Sequence, residues 1–220
     1  MLCVVRLASN EASKAEEAAK KGADAVIVDG ADAGKIKEFA KKAPDILLGA
    51  LMRQKSDREN IASIKQAGAD FIVLEADSGL AEALLEENVG FVLASRGQPE
   101  DTWLRLLGDL GLDALIASVP DGDLTIERLL ELRRVSALSR TPLLVEVPAD
   151  AESSRLQALR ESGVAGVIVD GSSLGKLEKL RETIAALPAR GKRREERSEA
   201  VLPTAGVAAG HDHDDDYDDD

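Results

Sequence analysis

The sequence predicts a closed eight-stranded (β/α)8 barrel, and a fourfold internal repeat is the first reason. A glycine, a short apolar run and a polar residue recur as GADAVIVD from Gly22 to Asp29, GADFIVLE from Gly68 to Glu75, GLDALIAS from Gly111 to Ser118, and GVAGVIVD from Gly163 to Asp170. Each glycine follows an amphipathic helical pattern, where a left-handed C-terminal cap is wanted. The second reason is the apolar runs themselves, which are β-branched and do not alternate, as in strands covered on both faces. The third is spacing: another helix, strand and helix fit between successive copies, so a β-α-β-α unit occurs four times. Strands alternating with helices give a parallel sheet with right-handed crossovers. An open doubly wound sheet would carry a G-x-G-x-x-G fingerprint after an early strand, and none is present.

In chain order, the first strand is LCVVRLAS from Leu2, followed by the helical pattern EASKAEEAAKK. The first repeat copy is the second strand, and DILLGALM from Asp45 is the third, leading into the helix DRENIASIKQA. The fourth strand is the second copy, the fifth GFVLASR from Gly90, and the sixth the third copy. PLLVEVPA from Pro142 is the seventh, and the fourth copy is the eighth. A last helix, SSLGKLEKLRETIAAL, runs up to Pro188. A barrel ending there is short against the usual ~250 residues, so its loops must be tight.

Residues 1–188 are therefore assigned to the barrel and 189–220 to a disordered tail. The tail opens with the mixed-charge run ARGKRREERSEA, passes through VLPTAGVAAG, and ends in the acidic HDHDDDYDDD from His211. Like-charge blocks of this kind repel themselves and stay unfolded. The plain interpretation is a solubilising tail. Two alternatives are weak capture of a divalent metal by His211, His213 and the aspartates, and contact with a basic protein partner.

The single cysteine, Cys3, lies inside the first strand and cannot form an internal bridge, which fits a reduced, cytoplasmic setting. The chain enters its first strand at Leu2, leaving no room for a signal peptide, and no apolar run approaches membrane-spanning length. A formal charge of −13 argues against a nucleic-acid surface. Aromatic residues, at 2 %, supply no platform for stacking bases.

In a barrel of this kind chemistry belongs to the C-terminal ends of the strands and the loops that follow. Asp29, Glu75, Ser118 and Asp170 occupy the same place in their four copies, and layers of a barrel interior draw on alternate strands. If that ring points inward, three carboxylates and a hydroxyl crowd the mouth, with Arg6, Gly49, Leu93 and Glu146 as the neighbouring layer from the odd strands. Arg6 is then the cation embedded among the acids. Carboxylates that close cannot all ionise cheaply. One of them keeps a proton and serves as a general acid, or Mg²⁺ or Mn²⁺ is held by Asp29, Glu75 and Asp170 and polarises a carbonyl. Arg6, Asp29, Glu75, Glu146 and Asp170 are accordingly the candidate catalytic residues. The structural alternative has Asp29 and Asp170 capping the helices that follow and Arg6 paired with Glu146 as an internal ion pair.

Arg53, Lys55 and Arg96 are candidates to draw a small anionic substrate to the rim, with Ser118 beside them. The loop DGSSLGK, from Asp170 to Lys176, places Gly171, Ser172 and Ser173 where many barrels hold a phosphate on backbone N–H groups. Its usual partner loop after the seventh strand is here VPADAESS, with Asp150 and Glu152 repelling an anion. Both histidines lie in the tail and no lysine lies within a strand. The barrel therefore has no imidazole for acid–base work and no strand lysine for a Schiff base, which argues against pyridoxal phosphate.

Over Leu2 to about Leu187 the chain resembles the aldolase-type TIM-barrel superfamily, on its unit plan and on phrases such as GADAVIVDG and GVAGVIVDGSS. The resemblance implies small-molecule catalysis. GADAVIVDGADAG also looks like a segment of the flavin-dependent nitronate monooxygenases. In those enzymes the phrase leads into a histidine, whereas Lys35 follows here, and the glycine-rich flavin-phosphate loop is lacking; no flavin is expected. Two functions stand side by side. One is a lyase or isomerase acting on a small oxo or phosphorylated acid. The other is a non-catalytic barrel that binds or scaffolds, its acidic tail meeting a basic partner. The sequence specifies no oligomeric state.

Overall fold

In a computed structural model, which describes residues 1–77, 79–95, 97, 99–118 and 122–189, eight parallel strands close into a barrel in sequence order. The strands are β1 Leu2–Ala8, β2 Ala25–Asp29, β3 Leu47–Leu51, β4 Phe71–Glu75, β5 Gly90–Ser95, β6 Ala114–Ala117, β7 Leu143–Glu146 and β8 Val164–Asp170. Closure is made by β1 against β8, from Leu2 opposite Gly166 to Arg6 opposite Asp170. The helices are α1 Ala12–Lys20, α2 Ala33–Lys42, α3 Arg58–Gln66, α4 Asp101–Gly108, α5 Ile126–Ser139, α6 Ser153–Glu161 and α7 Leu177–Ala185. The compact unit is Met1–Pro188. The acidic tail, with His211 and His213, lies outside the described residues, and no helix among those described is long and apolar enough to cross a membrane.

The four repeat glycines, Gly22, Gly68, Gly111 and Gly163, all have positive φ. Each turns the chain out of a helix and into the next strand, as the repeat implied. One element departs from expectation. A full helix was expected between β4 and β5, but only the 3₁₀ turn Ala81–Leu85 forms there. This shortened fourth excursion accounts for part of the barrel's economy of length.

Two apolar layers hold the fold. The larger lies between strands and helices and includes Val5, Leu7, Val26, Val28, Ile36, Phe39, Ile61, Leu104 and Leu156. The smaller fills the barrel with Val4, Ala25, Ile27, Leu51, Val73, Val92, Ala114, Leu144 and Ile168. Phe71 packs against this inner layer and occupies the space over Gly49, where a Cβ would meet the Phe71 ring at 2.2 Å. Leu93 belongs to the outer layer, which corrects its expected place in the inner one; Val92 and Ala94 face inward instead.

A clamp built from the repeat sets the strands in register. Asp24, Asp70 and Asp113 stand two residues after three of the repeat glycines. The Asp24 carboxylate accepts from the Cys3 N–H at 2.7 Å, and its own N–H donates to the Cys3 carbonyl at 2.8 Å. Asp70 grips Leu48 in the same way, and Asp113 grips Phe91. Each acid thus holds both backbone groups of one residue on the preceding strand. The fourth copy has Ala165 at this position, and there the β7–β8 register shifts between Leu143 and Leu144.

Candidate functional site

Side chains alternate across a strand, so the inward-facing apolar residues identify what else points into the barrel. Asp29, Glu75, Ser118 and Asp170 each lie two residues beyond an inner-layer residue: Ile27, Val73, Ile116 and Ile168. Arg6 and Glu146 stand in the same relation to Val4 and Leu144. All six therefore belong to the inward set, at the end of the barrel where the strands finish. They do not form the expected ring.

What assembles instead is a network of alternating charge. Arg53, two residues beyond inner-layer Leu51, donates from Nε and Nη2 to Asp29 at 2.7 and 2.5 Å. Its Nη1 reaches Glu75 at 3.5 Å. Arg6 forms a bidentate pair with Glu146, at 2.5 and 3.1 Å. The bonds from Asp29 come first, followed by the charges of Asp29, Glu75 and Glu146, in holding the Arg53 guanidinium protonated even more firmly than usual. Two guanidinium groups and three carboxylates thus share the mouth. The expectation that Arg6 is the one cation embedded among the acids is corrected: Arg53 takes Asp29 and Glu75, because the loop after β3 carries its long side chain back over the barrel.

Asp170 leaves the ring for a local role. It accepts from the Ser172 N–H at 2.8 Å and caps the 3₁₀ turn Gly171–Lys176. Its hydrogen bonds with Ser172 hold its carboxyl below the usual range, with Arg6 and Lys14 adding smaller contributions. The capping alternative therefore applies to Asp170. For Asp29 it does not, since Asp32 caps α2 by accepting from the Lys35 N–H. The expected metal set of Asp29, Glu75 and Asp170 is not brought together. Arg53 stands on two of these acids, and among the described residues no three His, Cys, Asp or Glu side chains gather as a metal-ligating group.

The expected phosphate loop is also closed from within. The Asp170 carboxylate already takes the Ser172 N–H. Gly171 is packed so tightly on β1 that an added Cβ would meet Leu7 at 2.3 Å and the Arg6 carbonyl at 2.9 Å. Lys176 pairs with Asp150 at 2.8 Å, tying the loops after β8 and β7 to each other. Gly171 thus serves packing and the Ser172 N–H serves the cap, and neither they nor Ser173 line the mouth. Lys55 lines a neighbouring cleft with Gly30, Asp32 and Asn60, which shares Arg53 with the mouth. Arg96 lies outside the described residues.

The mouth encloses a cavity of about 120 Å³ bounded by Arg6, Arg53, Glu75, Ser95, Ser118 and Glu146 over a floor of Ile27, Val73 and Ile168. By itself that is room for a few waters, against the ~300–1,000 Å³ of an ordinary ligand site. A second cavity of about 470 Å³ shares the Glu75, Ala94 and Ser95 wall and continues to Ala76, Asp77, Pro99, Glu100 and Trp103. The two adjoin along that wall, the first charged at the barrel mouth and the second running on to Trp103. Trp103 was not among the expected site residues. The available signal was its being the only tryptophan in a chain nearly without aromatics.

Fold and strand-end site together define a closed (β/α)8 TIM barrel. No family model matches the sequence, and no curated protein matches it. Solved structures do resemble it. Thiamine phosphate pyrophosphorylase from Pyrococcus furiosus superposes with a TM-score of 0.63 at 16 % identity, over 86 % of this chain and 96 % of that one. A 3-hexulose-6-phosphate synthase gives 0.64 at 19 %, over 86 % and 100 %. The 3-keto-L-gulonate-6-phosphate decarboxylase of Vibrio cholerae gives 0.69 at 16 %, over 86 % and 99 %. At such identities the likeness is one of fold.

Proposed function

We propose that this barrel is a small-molecule enzyme, a lyase or isomerase acting on a small oxo or phosphorylated acid. The observation that carries this is the paired-arginine network at the C-terminal mouth, adjoining a cleft of substrate size. Arg6 and Arg53 are the groups to hold a substrate carboxylate or a developing oxyanion. Asp29 orients Arg53. The Arg53 Nη1 end, only 3.5 Å-bonded to Glu75, is its loosest donor and the one a substrate oxygen would engage. Glu75, with 13 % of its side chain exposed, is the most enclosed acid of the network. It is the residue to move a proton when an anion draws Arg53 away and water is expelled. The named solved structures include enzymes of phosphorylated sugars, which supports the class. A phosphate on this chain's substrate would meet Arg53 and Arg6 rather than the loop after β8, where the Ser172 N–H is already taken.

The scaffold alternative has its own observation: each mouth arginine is already matched by a carboxylate, as in an inert charged plug. One titration separates the two. Small 2-oxo acids and their phosphorylated counterparts are added while Trp103 fluorescence and substrate turnover are followed. The enzyme reading expects a saturable change and turnover, both lost in Arg53→Ala and kept in the surface control Lys37→Ala. Silence across the panel would leave the scaffold.

A further inference from the structure

A barrel helix ordinarily shows one apolar face, turned toward the sheet, but α5 shows two. Its inner side buries Leu132 and Val135. Its outer side exposes Ile126 at 77 % and Leu130 at 62 %, one turn apart. Ile126 is the most exposed large apolar side chain among the described residues. A helix apolar on opposite sides is one that is covered on both, and the barrel covers only one. Exposed Glu127 and Arg133 flank Leu130 at the same spacing on either side. Among the described residues the Arg133 guanidinium makes one long bond, 3.4 Å to the Glu161 carbonyl.

We propose that the outer stripe of α5 is the contact of a symmetric dimer, laid antiparallel against the same helix of a second copy. The charge pattern selects this occupant and this direction. A twofold axis at Leu130 sets Leu130 on the second copy's Leu130 and Ile126 on the stem of the second copy's Arg134. The same axis sets Glu127 against the second copy's Arg133, and Arg133 against the second copy's Glu127. Self-complementarity of this kind is what an isologous interface requires. A parallel arrangement would set Glu127 on Glu127 and Arg133 on Arg133, which is repulsive. The net charge of −13 on each chain opposes association at long range, but salt screens it beyond about 8 Å under physiological conditions, leaving the contact pairs to act.

Sedimentation of the full chain at physiological salt tests this. The wild type is expected to be a dimer at tens of micromolar, and Leu130→Asp a monomer with an unchanged far-ultraviolet spectrum. Glu127→Arg and Arg133→Glu, each placing like charges across the axis, should raise the dissociation constant roughly tenfold or more. The double reversal Glu127→Arg with Arg133→Glu should restore the dimer, which no other geometry predicts. A wild type that stays monomeric, as a surface meant for a different protein would, overturns the proposal. So does a dimer that survives Leu130→Asp, or a folded double reversal that remains a monomer.

Discussion

Asp24, Asp70 and Asp113 show how much one carboxylate can do at the start of a strand. Each holds the N–H and the C=O of a single residue on the neighbouring strand. Hydrogen bonds to a charged acceptor stabilise by about 1.5–3 kcal/mol, so Asp70→Ala should lower the free energy of unfolding by about that amount in urea titration. A loss under half a kcal/mol would mean the clamp is ornamental. The sequence displayed these acids in plain view, yet an acid just after a glycine is indistinguishable from an ordinary loop residue until its partner strand is known. Cys3, clamped by Asp24, is fully buried, as its place inside the first strand allows. Burial pushes its thiol from 9.0 up to about 11, with Arg181 opposing and Asp24 adding to the shift. Iodoacetamide at pH 8 should therefore leave the native protein unlabelled and modify it only on unfolding. The linkage has a definite sign. Between pH 9 and about 11 the unfolded chain releases a proton that the fold retains, so stability should fall with rising pH across that window.

At the scale of elements, the eight strands and the helices α1 and α3 stand where the periodicity placed them, while the last helix begins at Leu177, its expected first turn from Ser172 being 3₁₀. The missing fourth helix was not legible, because ALLEE carries helix-forming residues and only the short span between β4 and β5 forbids a longer element. The turn after β8 illustrates the opposite case, in which local chemistry competes with function. DGSS suits a phosphate loop and a capped 3₁₀ turn equally well, and the tight packing of Gly171 on β1 decides for the turn. Asp170→Ala should cost about 1 kcal/mol, as the loss of a cap does. Because the folded carboxyl lies below 3.8, its contribution is fully present above the unfolded value and is lost as pH falls through the folded one. Thermal unfolding from pH 5 down to pH 2 should thus decline less steeply in Asp170→Ala than in the wild type. Parallel curves would remove the capping role.

For the molecule as a whole, closure is the property that matters most, since β1 on β8 leaves no sheet edge. Amide exchange should therefore find β1 and β8 protected as well as β4 and β5. Early exchange confined to β1 and β8 would reveal an open sheet. Closure also explains what could be known in advance. The glycine-led repeat, its unalternated strands and its spacing determined a closed barrel and placed Arg6, Asp29, Glu75, Ser118, Glu146 and Asp170 at equivalent strand ends, while whether that set faces inward was settled only by the inner layer of the structure. These follow from sequence because backbone periodicity is local. Which inward groups meet was decided only by tertiary structure: Arg53 folding back between Asp29 and Glu75, Asp170 turning to its own loop, Trp103 closing the far end of the cleft. A long side chain on a loop takes its direction from the packing around it, and that packing exists only once all eight strands have closed.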